Sequence, residues 1–235
     1  MNIEKIYNRF NKVAEDYDNQ RKYFIPCFND YYETSISLLS ECKNDFKSIL
    51  DLGAGTGLLT KYLINYFPQA SFILVDISES MLEVAKSRFK KNNNVNFIIS
   101  DYSKKLPNKK FDLIASALSI HHLESDKKSG LYKMIYKNLK KGGYFINLDQ
   151  FNTNSSFIND KYNNWWYKFI DNSEINDSQK QCWIKRRELD RENTIDETKA
   201  ILKSVGFSDV ECIYNFMKFG VIIAIKQIKQ HQKRV

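Results

Sequence analysis

Cysteine is scarce and unpaired in this chain. Cys27, Cys42, Cys182 and Cys212 lie far apart, with no Cys-x-x-Cys and no histidine at zinc spacing. That pattern argues against a disulfide scaffold or a zinc module and predicts reduced, partly buried thiols in a cytoplasmic protein. No apolar run reaches transmembrane length, and Met1-Asn2-Ile3-Glu4-Lys5 lacks the apolar core of a signal peptide, so no membrane partner is expected. Internal repeats are absent, and the only compositional bias is toward Lys and Asn. Acid is in deficit: 36 Lys and Arg face 28 Asp and Glu, for a net charge of +8. The basic residues are scattered, without a stripe or an RNA-binding motif, and read as a solvated lysine surface rather than a nucleic-acid footprint. Lys226, Lys229, Lys233 and Arg234 stand without acid in the last ten residues and read as a frayed end.

What is present is the material of a globular core. The 235 residues are 43% hydrophobic and 14% aromatic, enough for one domain over 1–235. Glycine occurs at only eight positions, yet Gly53, Gly55 and Gly57 fall in one stretch. Ile49-Leu50-Asp51-Leu52 reads as a buried strand running into that glycine turn, and a helical pattern opens at about Gly57. Glycine permits a tight turn and a close backbone approach to a ligand, and the helix start aims free N–H groups at the turn. A dinucleotide-binding fingerprint would need its third glycine where Leu58 stands.

Along the chain, Ile3, Ile6, Tyr7, Phe10 and Val13 predict an amphipathic helix over 2–17. Tyr17-Asp18-Asn19-Gln20-Arg21 reads as a polar break. Pro26 precedes a helix over 28–42 with Tyr31, Ile36, Leu38 and Leu39 facing inward. Strands are expected at 47–52, 71–76, 95–99, 111–116 and 144–148. Helices alternate with them at 57–66, after the N-cap Ser78, and over 126–139, stopped by Gly142-Gly143. This rhythm argues for a parallel sheet covered on both faces. Residues 151–192, which hold Trp165, Trp166 and Trp183, break the rhythm and read as a helical cap insertion near 157–170 and 176–191. After a helix over 194–205 ended by Gly206, strands 210–214 and 219–225 have too short a link for a crossover and must form an antiparallel hairpin.

Ligands of open α/β sheets bind beyond the carboxyl ends of the strands, where the acids of this chain fall. Asp76, at the end of strand two, can accept both ribose hydroxyls, with Ile77 and Met81 packing on an adenine; the alternatives are a helix-capping acid and plain core. Asp101 closes strand three and can accept from an adenine amino group beside Tyr102, or serve a turn. Asp51, buried at the end of strand one, needs partners, for which loop N–H groups and a ligand ammonium are the candidates.

The motifs Asp51-Leu52-Gly53-Ala54-Gly55-Thr56-Gly57, Asp76, Asp101 and Ala117-Leu118-Ser119-Ile120-His121-His122-Leu123, with the terminal hairpin, resemble the class I S-adenosylmethionine-dependent methyltransferases over most of residues 5–225. The resemblance implies an α/β, Rossmann-like seven-stranded sheet of order 3-2-1-4-5-7-6 with strand seven antiparallel. It also implies S-adenosyl-L-methionine as cofactor, held at Tyr17, Arg21, Asp51, Gly53, Ala54, Gly55, Asp76, Ile77, Met81, Asp101, Tyr102 and Ala117. Phe10 to Asp18 resembles the family's N-terminal segment, so residues 1–45 are expected to form a helical lid. His121 and Asp149 are catalytic candidates, Asp149 for substrate contact or as a base, while His121 reads more readily as pocket structure than as a base, and no metal constellation appears.

The expected activity is transfer of a methyl group to a small-molecule acceptor, with a homodimer allowed. The region from Gly206 to Gly220 also resembles the carboxy-S-adenosylmethionine enzymes that modify wobble uridine in tRNA. There an Asn after strand four and a late Arg hold the extra carboxylate. Ala117 stands at the Asn position here, and Arg186 or Arg187 would supply the guanidinium, so tRNA and carboxymethyl chemistry come second. A non-catalytic nucleotide-binding module is the third reading.

Overall fold

Apolar runs of five to seven residues, rich in Ile, Val, Leu and Phe, become strands because their backbones can be buried only when paired along both edges. The computed structural model describes residues 17–227. In chain order these are α1 (Tyr17–Phe24), α2 (Phe28–Cys42), β1 (Ser48–Leu52), α3 (Leu58–Tyr66), β2 (Ser71–Asp76), α4 (Glu79–Arg88), β3 (Val95–Ile99) and β4 (Phe111–Ala117). There follow α5 (Ser125–Asn138), β5 (Leu139–Gln150), α6 (Ser156–Asp171), α7 (Asp177–Arg187), α8 (Ile195–Val205), β6 (Phe207–Phe216) and β7 (Phe219–Lys226). The strands form one sheet of order β3-β2-β1-β4-β5-β7-β6. β1 to β5 are parallel, and β7 runs antiparallel to both β5 and β6. The expected topology and terminal hairpin are therefore present, and the register brings the carboxyl ends of β1, β2, β3 and β4 to one edge.

Both faces are covered. One core packs α1 to α4 and the cap helices on the sheet, and the other packs α5 and α8. Local signals set the helix starts: Ser78 accepts from the Met81 N–H at 3.2 Å, and Asn176 and Thr194 each close a capping box. The cap helices α6 and α7 lie where expected, and the Trp166 indole donates to the Phe24 carbonyl at 2.7 Å, tying α6 to α1.

Four expectations need correction. The stretch Tyr17 to Arg21, read as a break, is helical in α1. Gln20 and Phe24 are buried four residues apart, and Asp18 is bound by the Thr56 hydroxyl at 2.6 Å and by Arg88, so tertiary contacts override a polar composition. Leu38 is 41% exposed, because the inward stripe of α2 is Tyr31, Tyr32, Ser35, Ile36 and Leu39. β5 starts at Leu139, before the glycines: Phe111 pairs with Leu139 and Leu113 with Tyr144, and the excess residues bulge out at Gly142, where φ is 68°. Cys27, Cys42 and Cys182 are exposed free thiols rather than partly buried ones: Cys27 and Cys42 stand at the two ends of α2, and Cys182 lies on the cap helix α7. No helix among the described residues is long and apolar enough to cross a membrane. The helix expected over 2–17 and the basic end, Lys226 apart, lie outside the described residues.

Candidate functional site

The glycine loop does its work by shape. Gly53, Gly55 and Gly57 all have positive φ, at 66°, 54° and 75°. A Cβ on Gly53 would lie 1.9 Å from Ser119 Oγ, so the β4 loop closes directly over it. A Cβ on Gly55 would meet no protein atom within 4 Å, which leaves a cradle open beside the backbone. The loop amides are not the free donors expected of a helix start. Gly53 and Ala54 donate to the Val75 carbonyl, Gly57 to the Ala54 carbonyl, and Gly55 to Asp76 Oδ2 at 2.8 Å.

Above this loop is a chamber enclosing about 900 Å³ of atom-free space, its open mouth included. All twelve residues assigned to the cofactor from the sequence line it. Asp76 is fixed by the Gly55 N–H on one oxygen and the Ser78 N–H, 2.8 Å away, on the other. Burial raises its carboxyl above the usual range, against the pull of those N–H groups. Asp51 was expected to meet loop N–H groups; its Oδ2 instead accepts from the Thr60 hydroxyl at 2.7 Å, one turn into α3. Its Oδ1 is buried without a hydrogen-bond donor among the described residues. Burial pushes the Asp51 carboxyl up to about 7, with Thr60 pulling the other way and Asp76 adding to the rise. Asp101 Oδ1 accepts from the Ser103 N–H and hydroxyl, the turn role, while Oδ2 is buried without a hydrogen bond, Lys104 standing 3.6 Å off. Two carboxylate oxygens thus face one chamber short of a donor, and a ligand bringing an ammonium and an aromatic amino group would satisfy both. S-adenosylmethionine carries both groups, so the donor set fits it.

A second chamber of about 320 Å³ shares Tyr17, Arg21, Leu118 and His122 with the first. Leu118 has φ of 52°, a backbone strain that turns the chain off β4 and sends residues 119–122 across the sheet edge. His121 lines the second chamber, but Asp149 lies behind it and lines neither. Asp149 Oδ1 is 2.5 Å from His121 Nδ1, and Oδ2 accepts the His121 N–H at 3.1 Å. Asp190 Oδ1 sits 3.3 Å from His121 Nε2 and 3.2 Å from His122 Nδ1. Burial alone would lower His121; the two carboxylates overcome it and hold the ring at about 10, an imidazolium with both nitrogens engaged. Asp190 is held far below the carboxylate range by the same rings, against the effect of burial. His122 is lowered by burial and by the His121 charge, and is neutral at pH 7.

Sequence reasoning missed the rest of this network. Arg187 Nη1 reaches Glu192 at 2.6 Å, Gln150 at 2.7 Å and Asp190 at 2.8 Å, with its guanidinium over Trp166. Lys218, in the β6–β7 turn, is buried on Glu192 at 2.5 Å and Asn152 at 2.8 Å. Opposite charges therefore alternate from the hairpin turn to the tip of β5. The partners are too far apart in the chain for any motif to pair them. Ser119 was passed over as well, and the close approach to Gly53 is the signal that finds it. His121, His122 and Asp190 also bring ligand-type atoms within 4.8 Å of one another. His121 already has a carboxylate oxygen at each nitrogen, so the trio is balanced as an ion-pair cluster.

Comparison with known proteins points the same way as the site. Residues 49–143 match a family profile described as a methyltransferase domain. Over those residues the chain is similar to a methyltransferase domain, in line with the class I motifs of its glycine loop and strand-end acids. The carboxy-S-adenosyl-L-methionine synthase of Nautilia profundicola is 26% identical over 95% of this chain and 96% of its own length. The malonyl-[acyl-carrier protein] O-methyltransferase 2 of Ilyobacter polytropus is 29% identical over 61% of this chain, and the match spans about half, 52%, of that relative. In structure, the N-methyltransferase NodS of Bradyrhizobium japonicum, solved with S-adenosyl-L-homocysteine, superposes with a TM-score of 0.59 at 16% identity, over 84% of this chain and 86% of that one. The methyltransferase-domain match ends before Arg186, Arg187 and Asp190, so it contains the first chamber's loop and acids but not the late residues of the second.

Proposed function

We propose that this protein is an S-adenosylmethionine-dependent methyltransferase acting on a small molecule held in the second chamber. The observation that carries the reading is the pair of donor-poor oxygens, Asp51 Oδ1 and Asp101 Oδ2, in the chamber that Asp76 and the Gly55 cradle also line. Asp51 would take the cofactor's ammonium, Asp76 its ribose hydroxyls and Asp101 its adenine amino group, with Ile77 and Met81 against the ring. Arg21, whose Nε is buried without a hydrogen bond, would take the methionine carboxylate. The cofactor supplies an electrophilic methyl carbon on a sulfonium sulfur. The chain contributes chiefly proximity and alignment, which suffice for an in-line displacement. His122, neutral and in the wall between the chambers, receives the acceptor's proton where the acceptor is a hydroxyl or an amine. His121 and Asp149 serve as positioning residues instead, because the imidazolium has no open lone pair.

In this reading residues 17–45 and 151–192 cover one domain's site and exclude water. The four free thiols suit a reducing, cytoplasmic setting. A carboxylated sulfonium nucleoside is the second reading, favoured by the end-to-end match to the Nautilia synthase and by Arg186 in the second chamber. Titration calorimetry with S-adenosylhomocysteine tests the proposal. Binding is expected at micromolar concentration, with a loss of about a hundredfold in Asp76→Ala, the worth of two charge-assisted hydrogen bonds. No heat with the wild-type protein would end the reading.

A further inference from the structure

Among the described residues, the cations around the second chamber are neutralised except Arg21, which the first chamber shares, and Arg186. Arg187 is spent on Asp190, Glu192 and Gln150; Lys218 on Glu192 and two asparagines; His121 on Asp149 and Asp190. Arg186, on the last turn of α7, is different. It is only 7% exposed and lines the second chamber but not the first. No carboxylate among the described residues lies within ion-pair distance of it, and its Nη1 is buried without a hydrogen-bond partner. Its guanidinium rests over the Phe24 ring at 5.5 Å, which fixes the fork without neutralising it. Burial, and the like charge of Arg21, weaken its hold on the proton, against opposing pulls from Tyr17, Cys182 and the more distant Asp190. A buried guanidinium short of both counter-ion and acceptor is costly to keep, and a planar oxyanion is what its fork is shaped to receive.

We propose that Arg186 is an anion-binding residue for the methyl acceptor, and that the acceptor of this protein is a carboxylic acid whose carboxylate docks on it. The inference rests on the methyltransferase reading above. Apolar walls at Leu118 and Trp183 take the body of the acceptor. Arg21 remains with the cofactor, and the docked carboxylate relieves the repulsion between the two guanidinium groups. Carboxylate chemistry has a second source, a carboxyl group on the sulfonium nucleoside itself, and the experiment separates the two.

The 235-residue protein is saturated with S-adenosylhomocysteine, and benzoate and benzamide are titrated by ligand-observed NMR. Benzoate is expected to bind at least tenfold more tightly than its amide. Arg186→Gln should reduce that ratio below twofold while leaving affinity for S-adenosylhomocysteine unchanged, and Arg186→Lys should retain part of it. Equal binding of acid and amide to the wild-type protein overturns the proposal, as does an acid preference that survives in Arg186→Gln. A tenfold preference for carboxy-S-adenosylmethionine over S-adenosylmethionine that Arg186→Gln abolishes would assign the carboxylate to the cofactor, which also overturns it. Should the protein bind no S-adenosylhomocysteine, the reading of the first chamber fails. The acid-to-amide ratio on the unliganded protein then still decides the role of Arg186.

Discussion

The two chambers are adjacent but built on different principles. The first is assembled from short local signals: three glycines on alternate positions and an acid at the tip of each of the first three strands. Each signal works through its own neighbourhood, and a parallel sheet brings the tips together automatically. The second is assembled from Arg21, His121, Gln150, Arg186 and Asp190, which belong to separate elements and meet only because the cap folds back over the sheet. In the first chamber backbone shape dominates, and two carboxylate oxygens are left without donors. In the second, ion pairs dominate, and beside the shared Arg21 only the Arg186 guanidinium is left over among the described residues. The binding capacity of each site lies in what its own network fails to satisfy.

Three experiments would break or sharpen this contrast. The largest effect is expected from the glycine loop. Gly53→Ala places a methyl group 1.9 Å from Ser119 Oγ and should both unfold the loop and abolish S-adenosylhomocysteine binding. Gly55→Ala meets no protein atom and should cost only about 1–2 kcal/mol of stability through its positive φ. It should still lower affinity by more than tenfold. If thermal denaturation finds the two variants equally stable, the shape argument fails.

Next is Asp190→Asn, which leaves Arg187 and His121 short of a buried counter-charge. Loss of one partner in a buried network costs about 3–5 kcal/mol, so chemical denaturation should register a large drop. Affinity for S-adenosylhomocysteine, whose site excludes Asp190, should hold within threefold. A collapse of cofactor affinity at unchanged stability would mean that the chambers are not separable.

The smallest effect is that of pH on Asp51. Its folded carboxyl is raised to about 7 from an unfolded value near 3.9. The folded state therefore holds a proton that the unfolded state has released, and apo stability falls as pH rises from about 4 to about 7. A ligand ammonium needs the ionised form. Affinity should weaken as pH drops below 7, by up to about tenfold per unit. Asp51→Asn should lose that pH dependence and raise the apo melting temperature at pH 8. A pH-independent affinity in the wild-type protein would remove Asp51 from the ammonium site.

Legibility followed the range of the interaction. The order of elements, the Ser78 cap, the terminal hairpin and twelve of the residues that line the first chamber all came from spacing, turn chemistry and the family resemblance. The misreadings arose where distant contacts outvote composition. Tyr17 to Arg21 looked like a break because its helix is held by Thr56, Arg88 and the core, none of them nearby in the chain. The sequence left His121 open between pocket structure and a base, because the groups that face its ring are not its neighbours in the chain. Only the positions of Asp149 and Asp190 turn it into a clamped imidazolium and pass the neutral role to His122.

By itself, then, the sequence determined the sheet, the glycine turn and the acids at the strand tips, because hydrophobic period and backbone permissiveness act over a few residues. The tertiary structure decided which of those acids keep an oxygen open, which histidine is charged, and which arginines are left without a carboxylate. Charge is balanced in space rather than along the chain, and in the second chamber the counter-ions of a buried group come from elements that meet only after the cap has closed over the sheet.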